Sequence, residues 1–148
     1  QLLDFGATRV YSAARREALR NLLTACINGD DEDVGRFAMQ VGYLAEDASS
    51  HYRNQIITLL RTVTEPCRDT GDYSFSSSDI AERMSSMLIE MRLKNQNGAM
   101  PPPDILFLHR KLGGIYLLLT RLRARIPVRS LIVSNPLCLS ANISAKSA

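Results

Sequence analysis

Apolar residues recur at every third or fourth position in several stretches of the chain, which is the period of an amphipathic α-helix. Gly, Pro and acidic residues separate these stretches and supply signals for helix starts and stops. The pattern predicts five helices, near 12–28, 31–41, 47–64, 78–95 and 103–125. The fifth has the clearest apolar face, predicted to comprise Ile105, Leu108, Leu112, Ile115, Leu119 and Leu122.

Short polar residues and glycines mark the ends of the first two predicted helices. Ser12 is a candidate N-cap of the first helix, and Gly29 follows its last apolar position. The acidic run that starts at Asp30 favours the beginning of the second helix, because carboxylates are stabilised at the positive end of a helix dipole. We expect this short second helix to end near Gly42.

Two further helices each present one apolar face. The third repeats at positions Tyr52, Ile56, Leu59 and Val63. The fourth repeats at positions Ile80, Met84, Met87 and Met91. In the fifth, Gly113 and Gly114 interrupt a good helical sequence, so we expect a neighbouring backbone to approach closely there. The pattern decays after Pro127, so residues 1–133 are predicted to be folded and 134–148 to form a disordered tail.

Composition supports a mainly α fold without identifying a ligand. The 148 residues are 45% hydrophobic and 22% charged, with 6% aromatic residues and no Trp. A net charge of +3 permits contact with an anion but does not demand it. No stretch reaches the ~18–20 uncharged apolar residues of a membrane span. Cys26, Cys67 and Cys138 form no CxxC pair, which argues against a zinc site or a disulfide framework.

The N-terminal segment from Leu2 to Gly6 contains an Asp-Phe-Gly tripeptide after a short apolar stretch. In kinase-like folds such a strand remnant delivers Asp4 to a magnesium ion, a hard cation that prefers oxygen ligands. Gly6 then allows the chain to turn sharply. Taken alone, the tripeptide is more typical of an ordinary turn with an exposed aspartate.

Two basic segments could bind anions. The first comprises His109, Arg110 and Lys111, and the second runs from Arg121 to Arg125. Both could also be solvated or paired faces of the last helix, and arginines are favoured at a helix C-terminus in any case. The low net charge and the absence of interleaved aromatic residues argue against nucleic acid as a partner.

Taken together, these motifs resemble the UbiB (AarF-type) family of atypical protein-kinase-like proteins over roughly residues 2–132. The segment 2–9 is similar to that family's version of the Asp-Phe-Gly motif. The segments 108–114 and 122–126 are similar to its C-terminal signature, with Glu65-Pro66 and Tyr73-Ser74-Phe75 in matching places between them.

The resemblance implies the helical C-terminal lobe of a protein-kinase-like fold, with a strand remnant at its N-terminus. It implies ATP and Mg²⁺ as cofactors, Asp4 as the metal ligand, and Asp4 and Gly6 as cofactor-binding residues. It carries no catalytic role onto His109, Arg110 or Lys111, which we interpret as structural. It further implies a role in ubiquinone biosynthesis with partners in that pathway, and association with the mitochondrial or the bacterial inner membrane.

Other parts of the family pattern are missing from the 148 residues, including the nucleotide-binding lysine and the catalytic loop. We expect these and any targeting segment to lie upstream of Gln1, and the chain alone to be inactive as a kinase or ATPase. Two alternatives remain open at this point. One is a helical protein-interaction module that uses its Met-rich fourth helix or its basic fifth helix, and the other is a module whose basic end contacts anionic lipid at a membrane surface.

Overall fold

The computed structural model describes residues 10–93 and 101–135 of the chain, apart from the side chain of Arg92. This part is mainly helical, as the sequence predicts. Its helices are α1 (Ala13–Asn28), α2 (Asp31–Val41), α3 (Ser50–Val63), α4 (Ile80–Leu93), α5 (Pro103–Arg121) and α6 (Val128–Val133). Two short strands, β1 (Tyr73–Ser74) and β2 (Arg125–Ile126), form an antiparallel pair.

The caps of α1 and α2 are those that the sequence predicts. The Ser12 side chain accepts a hydrogen bond from the Arg15 backbone N–H, and Gly29 ends α1 with a φ of 76°. Asp30 caps α2 in the same way by accepting from the Asp33 N–H, and Gly42 ends it with a φ of 93°. Left-handed backbone of this kind favours glycine, so both boundaries are fixed locally.

The main hydrophobic core lies among α1, α2, α3 and the N-terminal end of α5. Burial of an aliphatic side chain contributes about 1.5–3 kcal/mol, so these residues supply most of the stabilisation of this region. Its buried members are Leu22, Ala25, Cys26, Val34, Ala38, Val41, Tyr43, Leu44, Ile56, Ile57, Leu60 and Ile105.

A second, smaller core forms where β1, α4, α5 and β2 meet. The ring of Phe75 packs edge-on against both Tyr73 and Tyr116, at centroid distances of 5.1 and 5.3 Å. The Phe75 N–H donates to the Ala124 carbonyl oxygen at 3.0 Å, which extends the pairing of β1 with β2. The buried residues here are Tyr73, Phe75 and Ile80.

The predicted buried face of α5 is wrong in its middle. Ile105 is fully buried and Leu119 packs against the second core, but Leu112, Ile115 and Leu122 are 55%, 51% and 66% exposed. The reason is that α5 is anchored at one end on the main core and at the other on the second core. No described atom lies within 4 Å of a Cβ built on Gly113 or Gly114, so the expected close backbone approach is not found among the described residues.

The C-terminal end of α5 also differs from the prediction. The helix ends at Arg121 instead of near 125, because Arg123 adopts a φ of 51° and the chain turns into β2. The sequence pattern had indicated neither β2 nor α6. Both depend on partners distant in the sequence, since Tyr73 pairs with Ile126 of β2 and α6 packs against residues 65–67.

Helix α3 begins at Ser50, three residues later than predicted, because the Ser49 side chain caps it by accepting from the Tyr52 N–H. Its buried face comprises Ile56, Ile57 and Leu60, so it is rotated from the predicted face, and Leu59 and Val63 are only half-buried. The predicted N-terminal strand remnant, the end of the fourth helix at 95 and nearly all of the predicted tail lie outside the described residues. Within 10–93 and 101–135, every helix is too short or too polar to cross a bilayer.

Candidate functional site

The predicted magnesium ligand Asp4 and the hinge residue Gly6 lie outside the described residues. What the structure provides is the anchorage of Tyr11, which follows Gly6 by five residues in the sequence. The Tyr11 hydroxyl donates a hydrogen bond to the backbone oxygen of Asp104 at 2.9 Å. The chain at Tyr11 is therefore attached to the first turn of α5.

An ion pair reinforces this attachment one helical turn further on. The Nε of Arg15 lies 3.0 Å from a carboxylate oxygen of Asp104, and both side chains are about a quarter exposed. A second guanidinium nitrogen of Arg15 donates to the Val41 carbonyl oxygen at 2.8 Å. Arg15 thus joins α1, the C-terminal end of α2 and the start of α5 at one point.

Gly42 and Tyr43, which follow α2, also contact the start of α5. A Cβ built on Gly42 would lie 2.9 Å from the Pro102 ring, so only glycine fits against the proline that precedes α5. The ring of Tyr43 stacks on that of His109 at a centroid distance of 5.4 Å and an interplanar angle of 16°. The Tyr43 hydroxyl is also hydrogen-bonded to His109 Nε2.

These contacts make His109 a residue that docks α5 on the main core, which is the structural role that the sequence interpretation assigned to its segment. His109 keeps part of its ring exposed despite these contacts, and the neighbouring Arg110 and Lys111 are exposed. Partial burial lowers the pKa of His109 from its ordinary value. The neutral ring, with Nε2 as an acceptor for the Tyr43 hydroxyl, is therefore the form that the folded chain favours.

This environment predicts a loss of stability in mild acid. Because the pKa of His109 is lower in the folded than in the unfolded chain, its contribution is complete above the unfolded pKa of about 6.5 and declines as the pH falls through the folded pKa. We expect His109→Gln to flatten the dependence of the unfolding free energy on pH below about 6.5. Denaturant titrations at several pH values measure this, and His51→Gln, at a histidine on α3 outside the α5 junction, is the control. An unchanged slope in His109→Gln would contradict the assignment.

A second polar cluster joins the segment after α3 to α4 and α5. Glu65 accepts hydrogen bonds from the Tyr73 hydroxyl at 3.0 Å and from the Arg83 guanidinium at 2.6 Å. Tyr73 is also hydrogen-bonded to Ser78 at 2.7 Å, and Ser78 in turn to Tyr116. Burial raises the pKa of Tyr73, so its hydroxyl stays protonated and keeps donating at neutral pH. The sequence identifies Glu65 and Tyr73 as matches to the family, but it does not predict that they meet each other and Arg83.

The cysteines do not provide a reactive centre in the described part of the chain. Cys26 is buried and Cys67 is half-buried, and both are free thiols. Burial raises the pKa of both, to about 11 for Cys67, so they are protonated at neutral pH and poor nucleophiles. Cys138 lies outside the described residues. Among those that are described, no group of three His, Cys, Asp or Glu side chains is placed to hold a metal ion.

Comparison with known proteins places the chain in a family, although no family model matches it. The probable serine/threonine-protein kinase abkA of Dictyostelium discoideum is 32% identical over 136 residues, which are 84% of this chain and 23% of that protein. Atypical kinase COQ8, mitochondrial, of Saccharomyces cerevisiae is 31% identical over 128 residues, 85% of this chain and 25% of that protein.

Atypical kinase coq-8, mitochondrial, of Caenorhabditis elegans is 28% identical over 128 residues, 84% of this chain and 16% of that protein. The chain therefore spans between 16% and 25% of the length of these curated relatives. The matches extend over most of the chain, including the docked α5 and the cluster around Glu65. The chain belongs to the UbiB-type (COQ8) family of atypical kinase-like proteins.

Proposed function

We propose that the chain is the helical C-terminal lobe of an atypical kinase or ATPase, in which Asp4 binds the magnesium ion of Mg-ATP and Gly6 lets the chain turn away from it. The observation that carries the proposal is the attachment of the chain after this motif to α5, through Tyr11, Arg15 and Asp104. A metal-binding aspartate works only when the backbone that presents it is held in place.

The rest of the nucleotide site has to come from outside these 148 residues. A kinase site also needs a loop that covers the phosphates, a lysine that contacts them and a second metal ligand. The relatives are four to six times longer than the matched segment, which leaves room for these parts. The 148 residues alone are therefore not expected to bind ATP tightly or to turn it over.

The names of the relatives support a proposed cellular role. We assign the protein to ubiquinone biosynthesis, in association with a membrane and with other proteins of that pathway. The relatives from nematode and yeast are named mitochondrial, which favours the mitochondrion over a bacterial inner membrane.

Magnesium-dependent ATP binding of the intact protein tests the proposal. Asp4→Asn removes one carboxylate charge from the metal site and should weaken ATP binding in the presence of Mg²⁺ by more than about tenfold. Asp47→Asn, at an exposed aspartate, is the matched control and should bind like the unaltered protein. Calorimetric titrations with and without Mg²⁺ give both values. Equal magnesium-dependent affinity in Asp4→Asn would remove Asp4 from the site.

One further observation favours a membrane-surface role alongside nucleotide binding. Leu117, Leu118 and Leu122 at the end of α5 are exposed, and Arg121 and Arg125 lie beside them in the chain. Apolar and basic side chains together suit the surface of an anionic bilayer. Co-sedimentation with acidic vesicles tests this role, which requires binding that weakens as the salt concentration rises.

A further inference from the structure

An open groove lies between α3, the start of α2 and the start of α4, away from the junction that holds α5. Its volume is about 220 Å³, and three guanidinium groups line it, those of Arg61, Arg68 and Arg83. Two carboxylates, Asp31 and Glu65, share the lining. The proposed nucleotide site at Asp4 and Gly6 does not include this groove.

The three arginines differ in how their charge is balanced. Arg61 forms an ion pair with Asp31 at 2.7 Å, and Arg83 forms ion pairs with Glu65 at 2.6 Å and with Asp79 at 2.8 Å.

Arg68 instead donates to a neutral acceptor, the Thr64 hydroxyl, at 3.2 Å. No carboxylate in the described ranges 10–93 and 101–135 lies within ion-pair distance of Arg68. The groove therefore contains one guanidinium whose charge is not compensated by the described residues, with a second, on Arg61, whose single partner Asp31 is more than half exposed.

We propose that this groove binds a phosphomonoester dianion, with Arg68 as the principal ligand and Arg61 as the second. A guanidinium presents a planar set of N–H donors that matches phosphate oxygens, and hydrogen bonds between charged groups are about twice as strong as neutral ones. A dianion engages both arginines more strongly than a single carboxylate does. It binds by displacing Asp31 from Arg61, so Asp31 competes with the ligand.

Calorimetric titration of the intact protein with inorganic phosphate, at constant ionic strength with chloride as the reference, tests this proposal. Arg68→Gln should weaken phosphate binding by about tenfold or more, since a hydrogen bond to a charged group contributes about 1.5–3 kcal/mol. Asp31→Asn should tighten it by about 1.4- to fivefold, because an exposed ion pair of about 0.2–1 kcal/mol no longer competes. Arg36→Gln removes an exposed arginine that pairs with Asp33 outside the groove, and it should change nothing.

The opposite directions expected for Arg68→Gln and Asp31→Asn separate a binding site from a change in folding, because a destabilised protein loses affinity in both. Thermal unfolding followed by circular dichroism checks that each variant is folded. The same measurement is made on Arg68→Lys, which keeps the charge. Equal phosphate affinity in Arg68→Gln and Arg36→Gln would overturn the proposal and leave only an adventitious ion.

A repeat of the titration with O-phosphoserine distinguishes a phosphorylated side chain from free phosphate. Tighter binding than that of inorganic phosphate assigns the groove to a phosphorylated side chain, and weaker binding assigns it to free phosphate.

Discussion

Ile105→Ala is expected to lower the free energy of unfolding by about 2–5 kcal/mol. Ile105 is 0% exposed and is the residue of α5 that enters the main core, in the helical turn that also carries Asp104. Truncation removes the transfer free energy of the side chain and leaves a cavity among residues of four helices, which cannot all relax into it. Denaturant unfolding followed by circular dichroism measures the loss.

Leu112→Ala on the same helix is the matched control. Leu112 belongs to the apolar face predicted from the sequence, yet it is 55% exposed, so its truncation should change the free energy of unfolding by less than about 0.5 kcal/mol. A loss as large as that of Ile105→Ala would show that the middle of α5 is covered in solution. It would also restore the face that the sequence pattern predicts.

Gly42→Ala is expected to destabilise the chain by about 1–3 kcal/mol. A φ of 93° is strained for any residue with a Cβ, and the new carbon would lie 2.9 Å from the Pro102 ring. Relief requires the proline and the start of α5 to move, which disturbs the neighbouring contact of Arg15 with Asp104. The melting temperature and the unfolding free energy should both fall.

Gly113→Ala should have the opposite sign and stabilise the chain by about 0.5–1 kcal/mol. Gly113 lies inside α5 with no described atom within 4 Å of an added Cβ, so the substitution only reduces the freedom of the unfolded chain. The two glycine variants are compared in one set of unfolding curves. If both are destabilising, Gly113 is packed against something that the described residues do not include.

The parts of the fold that the sequence predicts well are those that local chemistry decides. Ser12 and Asp30 cap helices by bonds that reach only three residues along the chain, and Gly29 and Gly42 stop them through their own φ. These helix boundaries can be predicted from the sequence because they do not depend on contacts with distant residues.

Features that depend on contacts between residues distant in the sequence cannot be predicted in this way. Apolar periodicity places Ile105 and Leu112 on the same side of α5, but it cannot tell which part of that side meets a core and which part lies between two cores. Two-residue strands carry no usable period, so the pairing of Tyr73 with Ile126 is not visible either.

The candidate site divides in the same way. The role of Asp4 and Gly6 is a prediction from a motif. It stays a prediction, because both residues lie outside the described part of the chain. The contact of His109 with Tyr43 agrees with the structural role inferred for its segment, although nothing in the sequence names Tyr43 as the partner. Glu65 and Arg83 are 18 residues apart and on different elements, so only the structure brings their charges together.

The attachment of α5 to two separate cores predicts an uneven pattern of amide hydrogen exchange. The main core has twelve buried members, whereas the second has three, so the second core should open at a lower free energy than the first. Amides at the C-terminal end of α5 and in β2 should exchange sooner than amides near Ile105. This difference is expected within α5 itself, although α5 is one continuous helix. The helix would then fray from its C-terminal end toward the junction of Tyr11, Arg15 and Asp104, which stays closed the longest.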